Sequence, residues 1–129
     1  MWRLTTDTPD DNVMTALNLF YVKDGETWVR GGGAAPDYPD ITLFEFIRGV
    51  CGVLTPDLEL PADNDNLSCL MADLLFDGSD EPTGIVALLY MAAWVCAELR
   101  GRLMQYEDTG LEPDAVHALL KRKEAECDG

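Results

Sequence analysis

The stretch from Thr83 to Asp108, TGIVALLYMAAWVCAELRGRLMQYED, constrains this chain more than any other, because it carries no charge until Glu98. As a helix it would run about 39 Å at the usual rise per residue. A helix so apolar asks for cover on nearly every side. Its uninterrupted apolar part, Ile85 to Ala97, ends at Glu98 and Arg100 and falls short of the ~20 residues that a membrane span needs. The expectation is a core-spanning helix whose first half is enclosed by the other elements and whose second half turns amphipathic. In that second half Leu99, Leu103 and Tyr106 would continue the inner stripe, with Glu98 and Arg102 as an i,i+4 pair outside.

Around this helix the sequence predicts a series of shorter elements. Thr8-Pro9-Asp10-Asp11 reads as a helix start, with threonine at the N-cap and proline at the first helical position. Val13, Ala16, Leu17 and Phe20 keep helical spacing behind it. From Asn18 to Arg30 two arms rich in aromatic and β-branched residues flank Asp24-Gly25, the signature of a β-hairpin. The preferred reading is a short helix followed by that hairpin. The alternative is one helix from 9 to about 22, capped near Gly25. Gly31-Gly32-Gly33-Ala34-Ala35-Pro36 predicts a mobile loop, and it has neither the spacing nor the lysine of a phosphate-binding loop.

Thr42-Leu43-Phe44-Glu45 has the form of a capping box. Leu43, Ile47 and Val50 share one face of the helix that follows, which Gly52 is expected to end. Thr55 to Pro61 is a proline-bracketed connector. Asp63-Asn64-Asp65-Asn66 opens a helix with Leu67, Leu70, Met71 and Leu74 as its buried stripe. The same acids fail as a calcium loop, because the sixth residue is Ser68 where glycine is needed and the twelfth is Leu74 where glutamate is needed. Asp77 to Glu81 reads as a turn before Pro82. Gly110 stops the long helix and Pro113 starts a last one, with Val116, Leu119 and Leu120 as its buried edge, Lys121-Arg122-Lys123 near its C-terminal end and a frayed tail beyond. Trp28, Tyr90 and Trp94 are read as core.

The fold class that follows is mainly α (α+β). Helices pack around one long central helix (about 83–108), with a small hairpin near 18–30, in a single domain 1–129. The segment 111–129 is a helix able to serve as an arm for docking or oligomerisation.

Charge narrows the function. Nine basic against 24 acidic side chains give 9 − 24 = −15, of which residues 1–82 hold 4 − 16 = −12. Such a field repels nucleic acid phosphates and suits a basic protein partner. Cys51, Cys69, Cys96 and Cys127 form no C-x-x-C pair. Cys51, Cys69 and Cys96 sit in apolar helical patterns as small reduced hydrophobes, as a cytoplasmic protein would keep them. Met1-Trp2-Arg3-Leu4 does not open a signal peptide. His117 is the chain's only histidine, in a mid-helix setting that offers no nucleophile partner and reads as surface or core edge.

Arg102-Leu103-Met104-Gln105-Tyr106-Glu107-Asp108-Thr109-Gly110-Leu111-Glu112-Pro113-Asp114-Ala115-Val116 resembles a segment, RLxxYEDTGLxPEEV, of uncharacterised small phage and prophage proteins of gut Firmicutes. Thr6-Asp7-Thr8-Pro9 and Leu17 to Gly25 resemble the start of one such family. Asp114 departs from the usual glutamate, a change that a helix start tolerates. The resemblance implies a phage origin and assigns no activity, cofactor or catalytic residue.

The leading expectation is a non-enzymatic interaction protein, without cofactor, bound metal, membrane or direct nucleic acid contact. Its acidic surface would engage a basic protein, as an anti-defence inhibitor imitating nucleic acid charge does. The candidate partner surface is Asp57, Glu59, Asp63, Asp65, Asp77, Asp80, Glu81, Tyr106, Glu107 and Asp108. The alternative is a structural or assembly protein forming a homo-oligomer through its C-terminal helices. A third reading, metal-assisted catalysis on the acids between Asp57 and Asp80, is the weakest, because abundant carboxylates are not evidence of paired ones.

Overall fold

The computed structural model describes residues 3–31 and 39–128, with side chains to residue 123. In chain order the elements are α1 (Asn12–Leu17), β1 (Phe20–Lys23), β2 (Glu26–Val29), β3 (Ile41–Thr42), α2 (Leu43–Leu54), α3 (Asn64–Leu74), a 3-10 turn (Leu75–Asp77), α4 (Pro82–Glu107) and α5 (Pro113–Asp128). The chain is mainly α with a small β part, and α4 packs on the sheet, α2 and α3. The expected glycine-rich loop lies, beyond Gly31, outside the described residues.

The hairpin reading holds. Asp24 and Gly25 both take positive φ, +54° and +77°, as a two-residue turn matched to strand twist requires. β1 and β2 pair from Phe20↔Val29 to Lys23↔Glu26. A third strand, not foreseen, adds antiparallel to β2 through Trp28↔Thr42 and Val29↔Ile41. It leads directly into α2, so Thr42 ends a strand and caps a helix at once. Its hydroxyl accepts the Glu45 amide at 3.2 Å and donates to the Glu45 carboxylate at 3.1 Å.

Several boundaries and faces differ from expectation. α1 starts at Asn12 behind Asp11 rather than Thr8 as its N-cap, with the Asp11 carboxylate accepting the Met14 amide at 2.7 Å, while the Thr8 amide donates to the Thr6 hydroxyl. Val13, Ala16 and Leu17 on this helix are exposed. α2 runs through Gly52 to Leu54 and stops where the Thr55 amide and hydroxyl both return to the Cys51 carbonyl, with Pro56 next in line. Cys51 is buried, while Cys69 and Cys96 face outward.

The core lies where α2, α3 and the first half of α4 meet the sheet: Val29, Leu43, Ile47, Cys51, Leu67, Met71, Val86, Ala87, Tyr90 and Ala93. Asp63 caps α3 as expected, accepting from the Asn66 amide. Gly110 takes φ +74° past the end of α4. Tyr90 is core, but Trp94 is 44% exposed and Trp28 is half-buried. α4 is not enclosed: Ile85, Leu88 and Val95 of its first half are exposed, and so are Leu99, Leu103 and Tyr106 of its second. What the second half turns inward is Ala97, Arg100 and Glu107. α5 exposes Val116, Leu119 and Leu120, and because it runs on to Asp128, Lys121-Arg122-Lys123 lie mid-helix.

By length and composition α4 could cross a membrane, but a third of its apolar window is buried inside the fold. Its inner face carries core and buried charge together, an arrangement compatible with a soluble protein.

Candidate functional site

Of the ten residues expected to form a partner surface, nine are exposed: Asp57, Glu59, Asp63, Asp65, Asp77, Asp80, Glu81, Tyr106 and Asp108. The acids from Asp57 to Glu81 flank both ends of α3, and two have local tasks. Hydrogen bonds from the Asn66 amide and side chain hold the Asp63 carboxyl below its ordinary range. Asp77 accepts the Thr83 hydroxyl at 2.6 Å across the turn into α4. Among the described residues no group of three or more His, Cys, Asp or Glu side chains could hold a metal ion.

Glu107 departs from that set, because it is buried in a polar latch that sequence reasoning missed. Its carboxylate accepts the Leu4 and Thr5 amides, each at 2.9 Å, and the Thr5 hydroxyl at 2.5 Å. Burial alone would raise its pKa. The three hydrogen bonds and the nearby Arg3 guanidinium outweigh that and hold it below the usual value. Arg3 also pairs with Asp108 at 2.7 Å.

Two turns earlier on the same face, Arg100 donates to the Asn18 side-chain oxygen at 2.9 Å and to the Thr6 carbonyl at 2.8 Å, and it pairs with Asp7 at 3.3 Å. Asn18 is fully buried and uses its whole side chain: the oxygen also accepts the Thr6 amide, and the NH₂ donates to the Leu4 and Met14 carbonyls. Arg30, just past the end of β2, completes the group, donating to the carbonyls of Asn18 and Asp7 and stacking over Tyr21 at 4.6 Å. The Tyr21 hydroxyl donates to Asp40. Burial, then that hydrogen bond, pushes the Tyr21 pKa up to about 12. The latch is held together by the chain's own groups, with the buried Arg3 Nε 3.7 Å from the Glu107 carboxylate and without a hydrogen bond. The only sequence signal was Arg100, a charge falling on the helical face that Ala93 and Ala97 share.

Two of the open grooves are mainly apolar. A groove of about 630 Å³ lies between α4 and α5, lined by Leu4, Leu103, Tyr106, Leu111, Val116 and His117 among others. A smaller one of about 330 Å³ lies beside Phe44, Tyr90, Met91 and Trp94, where the Ser68 and Tyr90 hydroxyls are hydrogen bonded at 2.6 Å. A scan against protein-family models, a search of curated proteins and a search of solved structures each found no match.

Proposed function

We propose that this chain is a non-enzymatic, cytoplasmic interaction protein of phage origin that assembles with itself through its C-terminal helices. One observation carries the reading. α5 exposes Val116, Leu119 and Leu120, while Leu103 and Tyr106 stand open across the groove beside it. An apolar surface of that extent on a monomer marks an interaction site. The αα-corner at Thr109-Gly110-Leu111 sets the angle between the two helices, which suits a pairing device. Light scattering across a concentration series tests it, with a multimer expected and a strict monomer at high concentration as the outcome that ends it.

A second reading is supported by charge: the −12 of residues 1–82 favours an acidic surface engaging a basic, nucleic-acid-binding protein as a charge mimic. Pull-down from host lysate at low and high salt tests this, because such binding weakens steeply as salt rises. Recovery of no nucleic-acid-binding protein at low salt would count against it.

A further inference from the structure

The smaller cavity, separate from the groove between α4 and α5, is walled by aromatic rings. Tyr90 and Trp94 lie one turn apart on α4 and so share a face, and Phe44 of α2 lines the same space of about 330 Å³. The Phe44 and Tyr90 ring centroids are 6.1 Å apart with their planes tilted by 37°, so the two rings open as a wedge and do not stack flat. Tyr90 is buried, and the hydrogen bond between its hydroxyl and that of Ser68 fixes the ring. Trp94 is the exposed member and leaves much of its indole open to a ligand.

Charge selects the kind of ligand these rings suit. The face of an aromatic ring is negative and attracts cations. The fold already uses that attraction elsewhere, with Lys23 over Trp28 and with Arg30 and Arg100 over Tyr21. Among the described residues no cation of the chain lies over Phe44, Tyr90 or Trp94. None of the cavity's described lining residues is basic, and its one charged residue is Glu26, an exposed side chain with no ion pair among the described residues. A chain of −15 also concentrates cations around itself. We propose that this cavity binds a quaternary, methylated ammonium ion, with its methyl groups against Phe44, Tyr90 and Trp94 and its charge met by the ring faces and Glu26. The Ser68 and Tyr90 hydroxyls are already paired with each other, so a primary ammonium would find little there to replace its water. A quaternary one has no N–H to satisfy. The site is independent of the assembly reading above and stands or falls without it.

The test titrates the full chain with choline chloride, and with the neutral isostere of choline in which a tert-butyl group replaces the trimethylammonium, following amide chemical shifts. Choline should bind at least about ten-fold more tightly than the isostere, with the largest shifts around Phe44, Tyr90 and Trp94. Trp94→Leu keeps an apolar side chain but removes the π face, and should weaken choline binding by about ten-fold. Its circular dichroism should match wild type, because Trp94 is partly in solvent. Phe44→Leu should act in the same direction, and Glu26→Gln should weaken binding less. A trimethyllysine peptide that binds more tightly than choline would place the ammonium on a protein partner, and one that binds no more tightly would assign a free small cation; both outcomes uphold the site. Equal binding of the isostere would reduce the cavity to an ordinary apolar pocket and overturn the proposal. Choline binding that Trp94→Leu leaves unchanged, or no saturable shift with choline at all, would overturn it as well.

Discussion

Arg100 and Glu107 show how single residues decide which way a nearly all-apolar helix faces. A buried guanidinium is tolerable only when its donors are matched, and Arg100 reaches two acceptors at once, Asn18 Oδ1 and the Thr6 carbonyl. Arg100→Ala leaves Asn18 and the Thr6 carbonyl short of a donor, and denaturant titration should show a loss of about 3 kcal/mol. Arg100→Lys should recover little, since an ammonium cannot reproduce the planar fork. Glu107 adds a pH dependence. Its folded pKa is depressed below 4.5, so its contribution is present above the unfolded value and is lost as pH falls through the folded one. Glu107→Gln should therefore cost about 2 kcal/mol at neutral pH, and the gap to wild type should close as pH falls through the depressed folded value. Tyr21 works in the opposite direction. With its pKa raised to about 12, its contribution is complete below pH ~10 and disappears as pH rises through the folded value. Absorbance titration of Tyr21→Phe against wild type should lose the latest-titrating phenol.

At the level of elements, close approach matters as much as propensity. A Cβ on Gly84 would stand 1.9 Å from the Gly78 carbonyl oxygen, because the turn after α3 folds directly against the first turn of α4. Gly→Ala inside a helix ordinarily gains up to ~1 kcal/mol. Here the backbone overlap outweighs that gain, and Gly84→Ala should lower stability by about 2 kcal/mol or more, read as a fall in thermal midpoint. The sequence marked most element ends, because caps and turns are local: Thr42 with Glu45, Asp63 with Asn66, Asp24-Gly25, Pro82, Gly110 and Pro113 all act where their chemistry implies. It did not mark which face of α4 is buried. From Ile85 to Ala97 every position is apolar, so no period is visible there, and the answer depends on Leu4, Thr5 and Asn18, some 80 to 100 residues away in the chain. The inner stripe assigned to Leu99, Leu103 and Tyr106 failed for the same reason. Those side chains are the more hydrophobic, but Arg100 and Glu107 occupy the face on which the N-terminal segment closes. The acidic surface was legible as composition only, and Glu107 is not part of it because its carboxylate is committed to the fold.

Taken as a whole molecule, the chain combines a charge of −15 with open apolar side chains on α4 and α5, and these two features pull self-association and basic-partner binding apart. Two copies of the chain bring 30 formal negative charges together. Raising salt from about 20 mM to 500 mM shortens the screening length from ~20 Å to ~4 Å and removes most of that repulsion. Self-association should therefore tighten with salt, by about ten-fold over this range if the relief is ~1.4 kcal/mol. Binding to a basic protein should weaken over the same range, since there the long-range term is attractive. Lowering pH from 7 toward 5 approaches the isoelectric point of about 4.1 and should tighten the dimer again, while leaving the Glu107 latch ionised. Sedimentation at three salt concentrations and two pH values measures both signs. A self-association constant that falls as salt rises would mean that charge pairs, not apolar contact, hold the copies together.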